Sequence, residues 1–177
     1  LTVGGGITSI DNIRELLKAG ADKVSINTAA ILNDDLIKNA SERFGNQCIV
    51  AAVDAKKDGN DWIVYSHGGS KKTEINVLNW ISKLEKLGAG EILLTSMDRD
   101  GTKRGFDVEL LKKASSEIGI PLIASGGVGK LSHFKDGAIL GDADALLAAS
   151  VFHFGEFSIL EVKQYLKDHG VMVRLEE

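Results

Sequence analysis

The stretches Val3-Gly-Gly-Gly-Ile7 and Ala124-Ser-Gly-Gly-Val128 decide the fold, because each is followed by the same sequel. After the first come a helical segment and then Ala19-Gly-Ala-Asp-Lys-Val-Ser-Ile-Asn-Thr-Ala-Ala30. After the second come another helical segment and Leu140-Gly-Asp-Ala-Asp-Ala-Leu-Leu-Ala-Ala-Ser-Val151. In both copies two glycines end a strand, one helix follows, and a Gly–Asp segment opens a strand that ends in small or hydroxyl residues. The copies lie about 120 residues apart, four strand–helix units along the chain. An eight-unit barrel with a twofold internal repeat has that offset between units 3–4 and units 7–8. The spacing therefore predicts a stretch that starts at the third strand of such a barrel.

The rest of the alternation agrees. A first run, Leu1 to Ile7, is followed by a helix with Ile13, Leu16 and Leu17 on one face and Gly20 just past its end. Lys23–Thr28 reads as a strand, 29–44 as one helix, and Cys48–Asp54 as an apolar strand buried on both faces. Asp58-Gly-Asn60 is a turn signal before Trp62-Ile-Val-Tyr65, which reads as a hairpin-like insertion near 57–70. Helices near 75–87, 107–118, 131–140 and 156–169 then alternate with strands at 91–97, 121–125 and 145–151. Six strand–helix units imply a parallel sheet, either open and doubly wound or closed as a barrel. Chemistry-bearing residues follow nearly every strand: Gly5, Asn27, Asp54, Asp98, Gly126 and Ser150. An open sheet gathers its site at one switch point, whereas a barrel collects all its strand ends at one mouth. The expected fold is thus α/β, a (βα)₈ TIM barrel present over 1–177 as a partial barrel of six units, 3 to 8. A complete barrel needs about 200 residues or more, and two unpaired strands would leave two long sheet edges.

Composition narrows the function. The chain has 177 residues, 44% hydrophobic and 26% charged, with 21 basic and 25 acidic residues and a net charge of −4. That balance indicates no broad nucleic-acid patch. No apolar run reaches the roughly 18 residues that cross a bilayer. A single cysteine, Cys48, forms no internal disulfide and suits the cytoplasm. No P-loop, GxGxxG or metal-ligand spacing occurs, so no cofactor and no metal is expected. The four histidines read as surface or loop residues.

Glycines after a strand let backbone N–H groups approach an oxyanion, with a helix N-terminus beyond them. Gly4–Gly6 with Asn27 and Thr28 can form one phosphate cradle; Gly126 and Gly127 with Ala149 and Ser150 can form a second across the mouth. Either segment alone reads equally as a tight turn, but two copies at matching positions favour a ligand with two phosphates. Asp54, at the end of a buried strand, suits general acid–base work or a turn cap, and Lys56 beside it would help hold it charged. In Leu94-Thr-Ser-Met-Asp-Arg-Asp-Gly-Thr102, Asp100 and the Gly101 amide are placed to meet substrate, with Thr95 nearby, while Arg99 pairs with a neighbouring Asp. Ser125 is a supporting hydrogen-bonding candidate. Asp22, Lys23 and Glu91 put charge at the opposite strand ends, either solvated or as a ring of paired charges closing the barrel bottom.

These motifs resemble the cyclase subunit of imidazole glycerol phosphate synthase, from histidine biosynthesis. The resemblance is carried by residues 1–7, 21–30, 52–56, 88–102, 123–127 and 148–154, and extends over the whole chain. It implies a lyase paired with a glutaminase subunit in a heterodimer, converting phosphoribulosyl-formimino-AICAR phosphate and ammonia to imidazole glycerol phosphate and AICAR. It implies an acid–base role for Asp54, one phosphate site at Gly6, Asn27 and Thr28, and another at Gly101, Gly127, Ala149 and Ser150. Lys23 and Glu91 correspond to an ammonia gate, and Asp22 to the glutaminase interface. The family's other catalytic aspartate lies on a first strand that this stretch does not include, so the expectation is a C-terminal part of the enzyme, inactive alone. The alternatives are the sister barrel, phosphoribosyl-formimino-AICAR phosphate isomerase, and a non-catalytic phosphate-binding fragment.

Overall fold

A computed structural model describes residues 1–175. Strand β1 (Thr2–Gly4) leads through α1 (Ile10–Lys18) to β2 (Lys23–Ile26). Helices α2 (Thr28–Leu32) and α3 (Asp35–Phe44) then lead to β3 (Ile49–Asp58). An antiparallel excursion, β4 (Asp61–Ser66) and β5 (Lys71–Asn76), precedes α4 (Val77–Lys86). The alternation resumes with β6 (Glu91–Ser96), α5 (Val108–Glu117), β7 (Leu122–Ser125), α6 (Leu131–Ile139) and β8 (Ala145–Leu147). Helices α7 (Ser150–His153) and α8 (Ile159–Asp168) follow. The parallel strands pair in the order β1-β2-β3-β6-β7-β8 and curl into an open half-barrel, the partial (βα)₈ architecture that the repeat predicts. Its edge strands are only three residues long rather than the long edges expected.

The pleat separates two faces. Val24, Ile26, Ala51, Val53, Ile92, Leu94, Leu122 and Ala124 point outward and are buried beneath the helices. Burying one such branched side chain contributes roughly 1.5–3 kcal/mol. The alternate residues, Ser25, Ala52, Leu93 and Ile123, line the concave inner face and are partly exposed.

The helix expected over 29–44 is broken in two, and the strand expected over 145–151 ends at Leu147, with the short helix α7 beginning at Ser150. Asn33 is extended (φ −152°, ψ 96°) between α2 and α3, where Asn and Asp side chains compete with helical backbone bonds. Gly155 (φ +66°) turns the chain after α7. Ser158 then opens the helix expected near 156–169 with a capping box, its hydroxyl accepting from the Glu161 N–H while the Glu161 carboxylate accepts from the Ser158 N–H. The excursion also runs past the expected 57–70, because β5 carries it to Asn76. Trp62 fastens it to the barrel. Its ring is buried, with Lys57 and Lys113 each 4.8 Å from the ring centroid, and its Nε1–H donates to Asp107 at 3.1 Å. Asp107 also caps α5 by accepting from the Leu110 N–H.

Candidate active site

The register of the inner face sets the site. Asp54 lies beside Thr95, Thr95 beside Ser125, and Ser125 beside Leu147, so these residues form one row at the C-terminal mouth. Asn27, one residue past β2, completes the row: its Nδ2 donates to Asp54 Oδ2 at 3.0 Å. An ionised carboxylate only accepts, so this bond fixes the amide orientation and leaves Asn27 Oδ1 buried with no partner among the described residues. Burial pushes the half-buried Asp54 carboxyl above its ordinary value; the Asn27 bond opposes that shift and the Asp100 carboxylate adds to it. Lys56 does not take the part expected of it. It is exposed, with its ammonium 5.8 Å from the Tyr65 ring centroid, and the groups acting on Asp54 are Asn27 and Asp100.

The first expected cradle comes together between the ends of β1 and β2. Gly4, Gly5, Gly6, Asn27 and Thr28 line one cavity of about 460 Å³, with Gly68 from the β4–β5 turn at its rim. Gly5 and Gly6 adopt φ of +95° and +69°, which keeps side chains off that wall. The His67 N–H donates to Thr28 Oγ1 at 2.8 Å, leaving the hydroxyl hydrogen for an acceptor in the cavity. Asn27 borders the cavity, but its amide nitrogen is engaged with Asp54. Its side chain thus serves the carboxylate, a geometry that residue order alone does not reveal.

The second cradle forms between the ends of β7 and β8. Asp100, Gly101, Gly127, Ala149 and Ser150 line a cavity of about 160 Å³, with Ser125 at its base. The loop after β6 is locked onto the glycine turn after β7: the Gly105 N–H donates to the Gly127 carbonyl at 2.7 Å. The short helices α2 and α7 begin at the two cradles, each with first-turn N–H groups that lack intrahelical partners.

Thr95 and Ser125 therefore stand between the cradles on the row that holds Asp54, and Asp100 overhangs it from the loop. The same segment contradicts one expectation. Among the described residues Arg99 makes no ion pair; it lines a separate outer cleft with Arg104, His133 and Asp136. Asp98 instead accepts the Lys57 N–H at 2.7 Å, and the Thr102 hydroxyl closes its own turn on the Arg99 carbonyl at 2.6 Å. Both are occupied in holding the loop.

At the opposite end of the inner face the Lys23 ammonium pairs with the Glu91 carboxylate. Asp22 is exposed beside them. No three His, Cys, Asp or Glu side chains among the described residues group as metal ligands, and no described helix is long and apolar enough to cross a membrane.

Two participants escape a reading of the motifs. The His67 backbone reaches Thr28 only because the excursion folds back over the mouth. Lys103 stands on the wall of the second cradle; a carboxylate, Asp100, beside a cradle expected to take an anion is the signal that a cation should be sought nearby.

A family-level comparison matches residues 1–158 to the family described as histidine biosynthesis protein. The matched region contains both cradles, Asp54 and the Lys23–Glu91 pair. The chain therefore belongs to the histidine biosynthesis family of barrel enzymes, which comprises isomerases and cyclases.

Proposed function

We propose that this chain belongs to the cyclase subunit of imidazole glycerol phosphate synthase. That subunit takes ammonia from a glutaminase subunit and converts phosphoribulosyl-formimino-AICAR phosphate to imidazole glycerol phosphate and AICAR in the cytoplasm. The observation that carries the reading is the Lys23–Glu91 ion pair, which lies on the same concave face as Asp54 but at the opposite strand ends. A paired charge at the foot of an inner wall fits a gate for a small neutral reactant entering from below. An isomerase has one substrate and needs no such entry.

The chemistry follows from the groups present. The two cradles, on either side of Asp54, hold the ends of a bisphosphate and fix its reacting centre over the row Asn27–Asp54–Thr95–Ser125. Building ammonia nitrogen into a ring requires protons to leave that nitrogen and reach departing groups. Asp54, with its proton affinity raised by burial, suits that exchange. Asp100 is the second carboxylate at the mouth and shares the acid–base work. The Thr95 and Ser125 hydroxyls orient substrate between the phosphates.

Two assays of the full-length protein test this. With ammonium salts and no glutamine it should form imidazole glycerol phosphate; substrate isomerisation without nitrogen uptake would identify the isomerase instead, and phosphate binding without turnover a non-catalytic barrel. With a glutaminase subunit added, Asp22→Ala should lower glutamine-dependent turnover about tenfold through weaker association. Its ammonium-dependent rate should stay within about twofold. Unaltered association and unaltered glutaminase stimulation would remove Asp22 from the interface.

A further inference from the structure

The two cradles differ in charge. Among the described residues the wall of the first carries no charged residue, whereas Asp100 lines the second. A phosphate dianion placed beside a carboxylate is repelled unless a cation stands with it. Lys103 is the one cation on that wall among the described residues.

The backbone around Lys103 is arranged to keep it there. Lys103 has φ +55°, a left-handed conformation that glycine adopts at less cost. Gly129 meets it from the opposite side: a Cβ on Gly129 would fall 2.5 Å from Lys103 Cβ, so only glycine lets the loop seat this closely on the turn after β7. The close seat on Gly129 fixes the loop that carries Lys103 against the turn after β7, beside the second cradle. The Lys103 ammonium meanwhile pairs with Glu156, and both partners of that pair are partly exposed. Solvent-exposed pairs of this kind are weak and exchange readily.

We propose that Lys103 is the phosphate-binding cation of the second cradle, its ammonium leaving Glu156 for a phosphate dianion seated against Gly101, Gly127 and Ser150. Glu156 thereby acts as a competitor that holds the lysine at the rim and weakens phosphate binding. The proposal rests on the bisphosphate reading of the two cradles. Within that reading it supplies what the glycine motif lacks, a charge that offsets Asp100.

Inorganic phosphate titrated into the full-length protein tests it, with backbone amide shifts as the readout. Gly127 reports the second cradle, and Gly5 and Gly6 report the first. Lys103→Met should weaken phosphate at Gly127 about five- to tenfold while leaving the first cradle within about twofold, and Lys103→Arg should restore most of the loss. Glu156→Gln should tighten binding at Gly127 about two- to threefold, and it keeps the proposal testable should Lys103→Met fold poorly. An unchanged affinity at Gly127 in Lys103→Met, an equal loss at both cradles, or no tightening in Glu156→Gln would overturn the assignment. Ser150→Asp separates this from failure of the underlying reading. It should weaken phosphate at Gly127 whether or not Lys103 takes part, so no effect there would show that the second cradle is not a phosphate site.

Discussion

Replacing Asp54 by Asn should lower turnover with ammonium salts by about 10²- to 10⁴-fold, the range over which a positioned general acid or base contributes. Asn conserves shape and can still meet the Asn27 side chain, so substrate affinity should change by less than about threefold. Loss of affinity with turnover intact would make Asp54 a binding group rather than a proton carrier.

The same substitution should have the opposite effect on stability. Burial raises the Asp54 pKa in the folded chain above its unfolded value. The folded state therefore holds this proton more tightly than the unfolded state does. As pH rises from the ordinary carboxylate value through the raised folded value, keeping Asp54 ionised increasingly destabilises the fold; above that window the penalty is constant, and below it the penalty vanishes. Asp54→Asn should consequently denature at higher urea concentration than the wild type at neutral pH, and the difference should disappear in acid. A variant less stable than the wild type at neutral pH would mean that the Asn27 bond outweighs burial. Together the two measurements would describe a residue retained for chemistry at some expense of stability.

The sequence made the strand–helix rhythm and the repeat legible because both rest on local signals: glycine turns, apolar runs and their spacing. The same signals located the two glycine cradles, since a repeat at barrel spacing brings Gly5 and Gly126 to the same mouth without any knowledge of side-chain contacts. What escaped depends on three-dimensional approach. The break at Asn33 was hidden because the apolar residues on either side continue a helical pattern, and the end of β8 at Leu147 because small and apolar residues continue to Val151. Asn27 reads as a ligand-binding residue, yet its amide nitrogen is committed to a carboxylate 27 positions away. Arg99 reads as an ion-pair partner of its neighbours, yet it turns out of the mouth into the outer cleft. Lys103 carries no motif, and its place becomes apparent only when the loop after β6 is seen resting on Gly129.

That resting contact gives the second large expected effect. Gly127 has φ +98°, and a Cβ there would lie 2.3 Å from the Gly105 carbonyl oxygen and 2.9 Å from Arg99 Cβ. The obstructing oxygen belongs to backbone, and the residue that carries it is already bonded to Gly127 through its own N–H. Neither side can yield without separating the loop from the turn. Gly127→Ala should therefore destabilise the fold by about 2–5 kcal/mol, combining left-handed strain with overpacking, and phosphate binding at the second cradle should be lost. Gly5→Ala is the control. Its φ of +95° is nearly the same, but a Cβ there meets nothing within 4 Å. It should bear the backbone strain alone, about 1–2 kcal/mol, while leaving the second cradle intact. Urea denaturation of both variants separates strain from collision. Equal destabilisation would mean that the loop after β6 moves freely enough to accept a methyl group, and a loop that mobile would not hold Gly101 and Asp100 against the turn in the arrangement on which the proposed second phosphate site rests.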